Sequence, residues 1–423
     1  MKKIYLLLVL VFSFIGYSDD FFNWFKENKD TCWNFQFQDF NKKFPNSFKW
    51  TSNLKKQIST KPAAKQSFTA FGFDVTQVLV DYQDGKISSV TFSIFNKGDS
   101  KKWNIQRFKK ALDILTNLFT KEVGIKPAQN NFQLGSNKIN GLIWRGKQSF
   151  DVTIKYAMGK KKNPEYLTVE IFPLGKAPKK LKNEFQVKKV KSTNTDFTKN
   201  IVKGADGSVY INIPMVDQGD KGYCVAAVLS RILGYYGSEI DQHVIAQLAK
   251  TDPTKGTNFR DTEALLKLAQ TKLRFNYRNL FKQQDFIYEK SYKAMIRRYN
   301  KEAKSKKQPI IKNVNMPKKN FPDLKYSIYK EIRAKDKSLK ANFISKWIEP
   351  NINKGIPIGW SVIIFPDNDK GQIKGHMRII NGYNKKTNQI IYTDSWGAGH
   401  EKKFMSLERA CNETLSLFVI TTR

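Results

Sequence analysis

Residues 213–237 read IPMVDQGDKGYCVAAVLSRILGYYG, and the fold of the chain turns on how this run is read. From Val225 to Tyr236 nearly every face of a helix would be apolar, interrupted by Ser230 and Arg231. A helix that is hydrophobic all round belongs in the middle of a domain. Cys224 opens it, with a flexible Gly222 just before. The partial positive charge of a helix N-terminus favours an anion, so this is where a nucleophilic thiolate would be placed. A buried cysteine acting as a small apolar residue is the commoner use of the side chain and reads the same run without chemistry. Gln218, six residues earlier, carries an amide that can donate to an oxyanion beside the backbone N–H of Cys224. Alone, a glutamine in a turn rich in Gly and Asp means little.

Two later stretches supply what a thiol nucleophile needs. In GHMRIINGYN, residues 375–384, His376 begins an apolar strand from Met377 to Ile380. In IIYTDSWGAGH, residues 390–400, Asp394 ends another. A base on one strand and its orienter on the next can hydrogen-bond side by side, so His376 would take the thiol proton while Asp394 fixes the imidazole. His400 is the alternative base, but it follows Gly397 and Gly399 in a loop, and His376 is preferred. His243, on the helix after the cysteine helix, reads as a packing or surface residue. Cysteines and histidines lack the close or paired spacing of a zinc site, and the expected chemistry needs no cofactor.

With Gln218, Cys224, His376 and Asp394 in that order, the sequence resembles a papain-like cysteine peptidase. Within that group it is most similar to the bacteriocin-processing (double-glycine) type. Such enzymes carry a glutamine six residues before the cysteine and an Asn-Ser-Trp-Gly motif, met here by Asp394-Ser395-Trp396-Gly397. The bacteriocin-processing relatives prefer Asp at that position and carry Tyr-Tyr-Gly after the cysteine helix, met by Tyr235-Tyr236-Gly237. The resemblance runs from about Ile211 to the C-terminus. It departs from papain in having Val225 after the cysteine, and in a charged insertion from Glu289 to Lys346. It implies an α+β fold of two lobes, helices around Cys224 against an antiparallel sheet bearing His376 and Asp394. It also implies a peptide or protein substrate, a thioester acyl-enzyme, and Trp396 shielding the His376–Asp394 contact. The same scaffold serves amidases acting on cell-wall peptides, and a catalytically silent binding protein is the rival from another class.

The rest of the chain sets the context. Lys2 and Lys3, the apolar run from Ile4 to Ile15 and the small residues Gly16 and Ser18 read as a signal peptide, residues 1–18, and hence a secreted or periplasmic protein. Residues 19–174 read as a small α+β domain without recognisable chemistry. Its signals are a hairpin around Asp84-Gly85, a helix from Ile105 to Phe119, and strands at Phe150–Tyr156 and Tyr166–Phe172. The role of this domain stays open between prodomain, recruiting module and structural partner. Residues 175–201, with KAPKKLKNEFQVKKVK at 176–191, read as a basic linker, and 202–423 as the peptidase domain. The net charge of +37 invites a nucleic-acid reading, but the positive residues are mostly lysine and spread along the chain, so no nucleic-acid partner is expected. Association with acidic cell-surface polymers, or a lysine-rich composition with no partner behind it, fits better. Three cysteines rule out a disulfide scaffold, and whether Cys32 and Cys411 pair is left open.

Overall fold

The computed structural model describes residues 21–422 apart from 52–54, 61–67, 98–102, 135–136, 148, 160–162, 180–195, 220, 239, 253–254, 258, 273–274, 316–320, 322, 366–372 and 398. The signal segment and most of the basic linker lie outside the described residues.

In the first half, a tight turn sets the sheet. Asp84 and Gly85 both take positive φ, 52° and 74°, a backbone that Asp-Gly accepts and a hairpin requires. Strands Gln77–Gln83 and Lys86–Asn96 leave the turn as an antiparallel pair. Lys86–Asn96 then pairs with Pro164–Pro173, and that strand with Phe150–Met158, inside a nine-stranded sheet among the described residues. Helix Ile105–Val123 begins where the Asn104 side chain accepts the Arg107 N–H and stops where Gly124 turns left-handed. Its stripe of Phe108, Ala111, Leu115 and Phe119 is buried in one core with Ile154 and Val169. Truncating such a residue costs roughly 2–5 kcal/mol.

The second half is built on an eight-stranded antiparallel sheet among the described residues. Its central strand, Lys374–Asn384, lies between Ser208–Ile211 and Ile358–Ile364, and Gln389–Thr393 pairs with it as well. Helix Cys224–Tyr235 packs on this strand, with Val225 through Leu233 all buried, as the apolar run requires. The charged stretch from Glu289 to Lys346 contains helices Glu289–Ser305 and Tyr326–Ala334. Met295, Tyr299, Ile328 and Tyr329 on these helices form a small core of their own with Ile363 and Phe365.

An apolar contact joins the halves. Ile139, Ala157 and Tyr166 are cross-strand neighbours in the first sheet, yet they are buried in the same cluster as Tyr223 and Val225. Cys32 sits in the first core, Cys411 in the second, and both are free thiols that burial pushes up to about 12. The two do not pair.

Candidate active site

His376 and Arg378 are two apart on strand Lys374–Asn384, so their side chains leave the same face. The neighbouring strand Gln389–Thr393 pairs Thr393 with Ile379 and then ends, which sets Asp394 beside both. Its carboxylate divides between them. Oδ1 is 2.6 Å from His376 Nε2, and Oδ2 accepts from Arg378 Nε at 2.8 Å. The Ser395 N–H donates to Oδ1 as well, at 2.9 Å. Burial works against ionising Asp394, but His376 and Arg378 outweigh it and hold its carboxyl below the usual range.

Cys224 is half-buried at the start of its helix, where N–H groups without intrahelical acceptors point outward. Its side chain interacts with His376 and helps to raise that residue's proton affinity. Because Asp394 takes Nε2, the ring nitrogen left for the thiol is Nδ1. Burial would lower the imidazole's affinity for a proton, but the interactions with Asp394 and Cys224 reverse that and raise His376 from 6.5 to about 9. Trp396 stacks on the imidazole, with centroids 4.9 Å apart and planes 19° from parallel, while remaining 41% exposed. It therefore covers the His376–Asp394 contact on its solvent side.

Gln218 is buried on the loop before the helix. Its backbone N–H donates to the Ser395 carbonyl at 2.9 Å, and Nε2 donates to the Lys221 carbonyl at 3.1 Å. An amide nitrogen carries two hydrogens, so one remains after the bond to Lys221. His400 has a different part. Its carbonyl accepts the Asp394 N–H, its ring meets Trp396 edge-on at 5.5 Å, and no hydrogen bond joins its ring to Asp394. Burial, then Lys403, lower its proton affinity. His243 is buried against Tyr223, a packing residue as expected.

Two arginines complete the arrangement. Arg378 lies among the rings of Tyr392, Trp360 and Trp396, with 4.8, 5.8 and 5.9 Å to the centroids. Arg231 was legible only as an interruption of the apolar helix. It falls seven residues after Cys224, two turns on and on the same face. Fully buried, it donates to the carbonyls of Pro214 and Asp394, both at 2.8 Å, and to the Thr393 hydroxyl. It thus fastens the cysteine helix to the segment before the Gln218 loop and to the Asp394 turn. Among the described residues, no three of His, Cys, Asp and Glu are grouped as metal ligands.

Residues 210–414 match the model of the Peptidase_C39 like family. On that match the second half of the chain is a cysteine peptidase domain of papain-like fold, with a peptide or protein as its substrate class. No curated protein matches the chain. Among solved structures it is similar to xylellain, a cysteine protease from Xylella fastidiosa, at 11% identity and a TM-score of 0.28. That alignment covers 54% of this chain and 90% of the other, and at that score it decides nothing further.

Proposed function

We propose that the protein is an exported peptidase whose nucleophile is Cys224, with His376 as its base and acid, Asp394 as orienter and Gln218 as oxyanion donor. The observation that carries this reading is one imidazole that is hydrogen-bonded to Asp394 and interacts with Cys224. His376 Nδ1 takes the thiol proton, and the Cys224 sulfur attacks the peptide carbonyl carbon. The resulting oxyanion accepts from the Cys224 backbone N–H and the spare Gln218 N–H. Collapse breaks the C–N bond as the imidazolium gives its proton to the leaving amine. Water then attacks the thioester, His376 takes a proton from that water, and the acid product leaves with the Cys224 sulfur restored. Throughout, Asp394 keeps Nε2 protonated and the ring in plane with its task.

Within the papain-like group, Asp394 in place of Asn and the Tyr235-Tyr236-Gly237 run favour the bacteriocin-processing type. The net charge of +37 favours a second reading, an amidase or endopeptidase drawn to the peptides of an anionic cell wall. Digestion of a diverse peptide mixture under reducing conditions, read by mass spectrometry beside Cys224→Ala, tests the peptidase. New termini that need Cys224 establish it and reveal its preference. Termini released from purified wall peptides alone would move the reading to the wall, and identical patterns from both proteins would remove the nucleophile.

A further inference from the structure

We propose that the first half of the chain is a working wall of the catalytic cleft, gripping the Gln218 loop through Lys49, and not a removable cover over it. The inference rests on the roles given above to Cys224 and Gln218. Lys49, on strand Phe48–Trp50, places Nζ 3.2 Å from Asp217 Oδ2, and the Asp217 side chain is only 8% exposed. Asp217 immediately precedes Gln218. Its Oδ1 accepts the Gly219 N–H at 2.9 Å and its carbonyl accepts from Gln242 Nε2 at 2.8 Å. Lys49 therefore takes hold of a side chain that folds this loop on itself.

The same pair borders the other side of the cleft. A Cβ placed on Gly397 would come within 2.5 Å of Asp217 Oδ2 and 3.1 Å of Lys49 Nζ. Gly397 follows Trp396, the ring stacked on His376. Lys49 thus stands at the seam between the loop of the oxyanion donor and the turn that shields the base. His376 hands its proton to the leaving amine, so this seam flanks the leaving-group side of the scissile bond. The sheet of the first half is also joined to the second by Ile139, Ala157 and Tyr166 in the shared core. A cover would have to occlude the thiol. Here Cys224 is half-buried and Trp396 is 41% exposed, so the grip leaves the centre open to solvent.

The full-length protein carrying Lys49→Ala, with Lys49→Arg as the charge-keeping control, decides the matter on two readouts. The first is amide hydrogen exchange over residues 215–223 by mass spectrometry. The second is kcat and KM on a peptide that the wild type cleaves. Lys49→Ala should speed exchange in that segment and lower kcat about tenfold with KM little changed, short of the ~10²–10³ that outright loss of an oxyanion donor costs. Lys49→Arg should restore both. Unaltered exchange in Lys49→Ala overturns the proposal, and so does faster turnover, the sign of a cover being released. If the wild type shows no Cys224-dependent cleavage, the peptidase reading is lost. The exchange arm still decides whether Lys49 holds the loop.

Discussion

At the scale of single residues, Asp394 links pH to activity. His376 is raised from 6.5 to about 9 because its interactions with Asp394 and Cys224 outweigh its burial. A raised imidazole keeps its proton up to that value, so its contribution to stability is whole below pH 6.5 and fades as pH climbs through about 9. The proton needed by the leaving amine disappears over the same range. The alkaline limb of kcat/KM should accordingly lie near pH 9 in the wild type. Asp394→Asn keeps the shape and removes the charge, so the limb should move down towards the ordinary value and kcat should fall about 10²–10⁴-fold. An unmoved limb would mean that Asp394 does not govern His376. Arg378 answers to a different measurement. With Arg378→Met, a buried carboxylate loses a cation 2.8 Å away, which should cost about 3–5 kcal/mol in urea unfolding. Arg378→Lys should recover part of that, since it returns the charge without the fork. Unfolding of Arg378→Met at the wild-type midpoint would show the pair to be idle. The sequence contained this role in plain view, because His376 and Arg378 alternate on one strand. It stayed unread because an arginine acquires its partner only when strand pairing fixes Thr393 opposite Ile379.

At the scale of elements, the cysteine helix shows both what spacing reveals and what it hides. Its apolar run, the Asp84-Gly85 hairpin and the helix after Asn104 were legible because local pattern and local backbone decide them. Gly222 was read as flexible, and the structure gives it another task. A Cβ there would meet the Gly256 N and Cα at 2.5 and 2.6 Å, backbone that has no rotamer to give way. Two segments that cross this closely cannot be inferred from either one. Gly222→Ala should therefore displace the first turn of the helix, lowering stability by about 1–3 kcal/mol and slowing alkylation of Cys224 by iodoacetamide. Wild-type alkylation and an unchanged unfolding midpoint would remove the crossing as a constraint. The helices after Glu289 are a similar case. Their charge marked them as an insertion, while Tyr292, Met295, Ile296 and Tyr299 recur at helical spacing inside it and are buried.

At the scale of the whole molecule, the +37 charge acts on every part of the fold at once. With 74 basic side chains against 37 acidic ones, basic groups outnumber acidic ones two to one, and their mutual repulsion is greater in the compact chain than in the expanded one. Salt weakens two opposing things. It screens this repulsion, and it screens exposed pairs such as Lys306–Glu331 and Lys385–Glu349. Each such pair contributes about 0–1 kcal/mol at most, whereas the repulsion is summed over the excess of basic groups. Between ~0.01 M and ~0.15 M salt the screening length falls from roughly 30 Å to 8 Å, from the breadth of a domain to the spacing of neighbours. Repulsion across the molecule is lost over that interval, while contacts near 3 Å are largely kept. The thermal midpoint of the reduced protein should thus rise with salt, in a single transition, because the core through Ile139, Ala157 and Tyr166 joins the two halves. Ile139→Asp, which places a charge in that shared core, should separate the transition into two. A midpoint that falls with added salt would show specific ion pairs to dominate over the net charge, and two transitions in the wild type would show that the halves unfold independently.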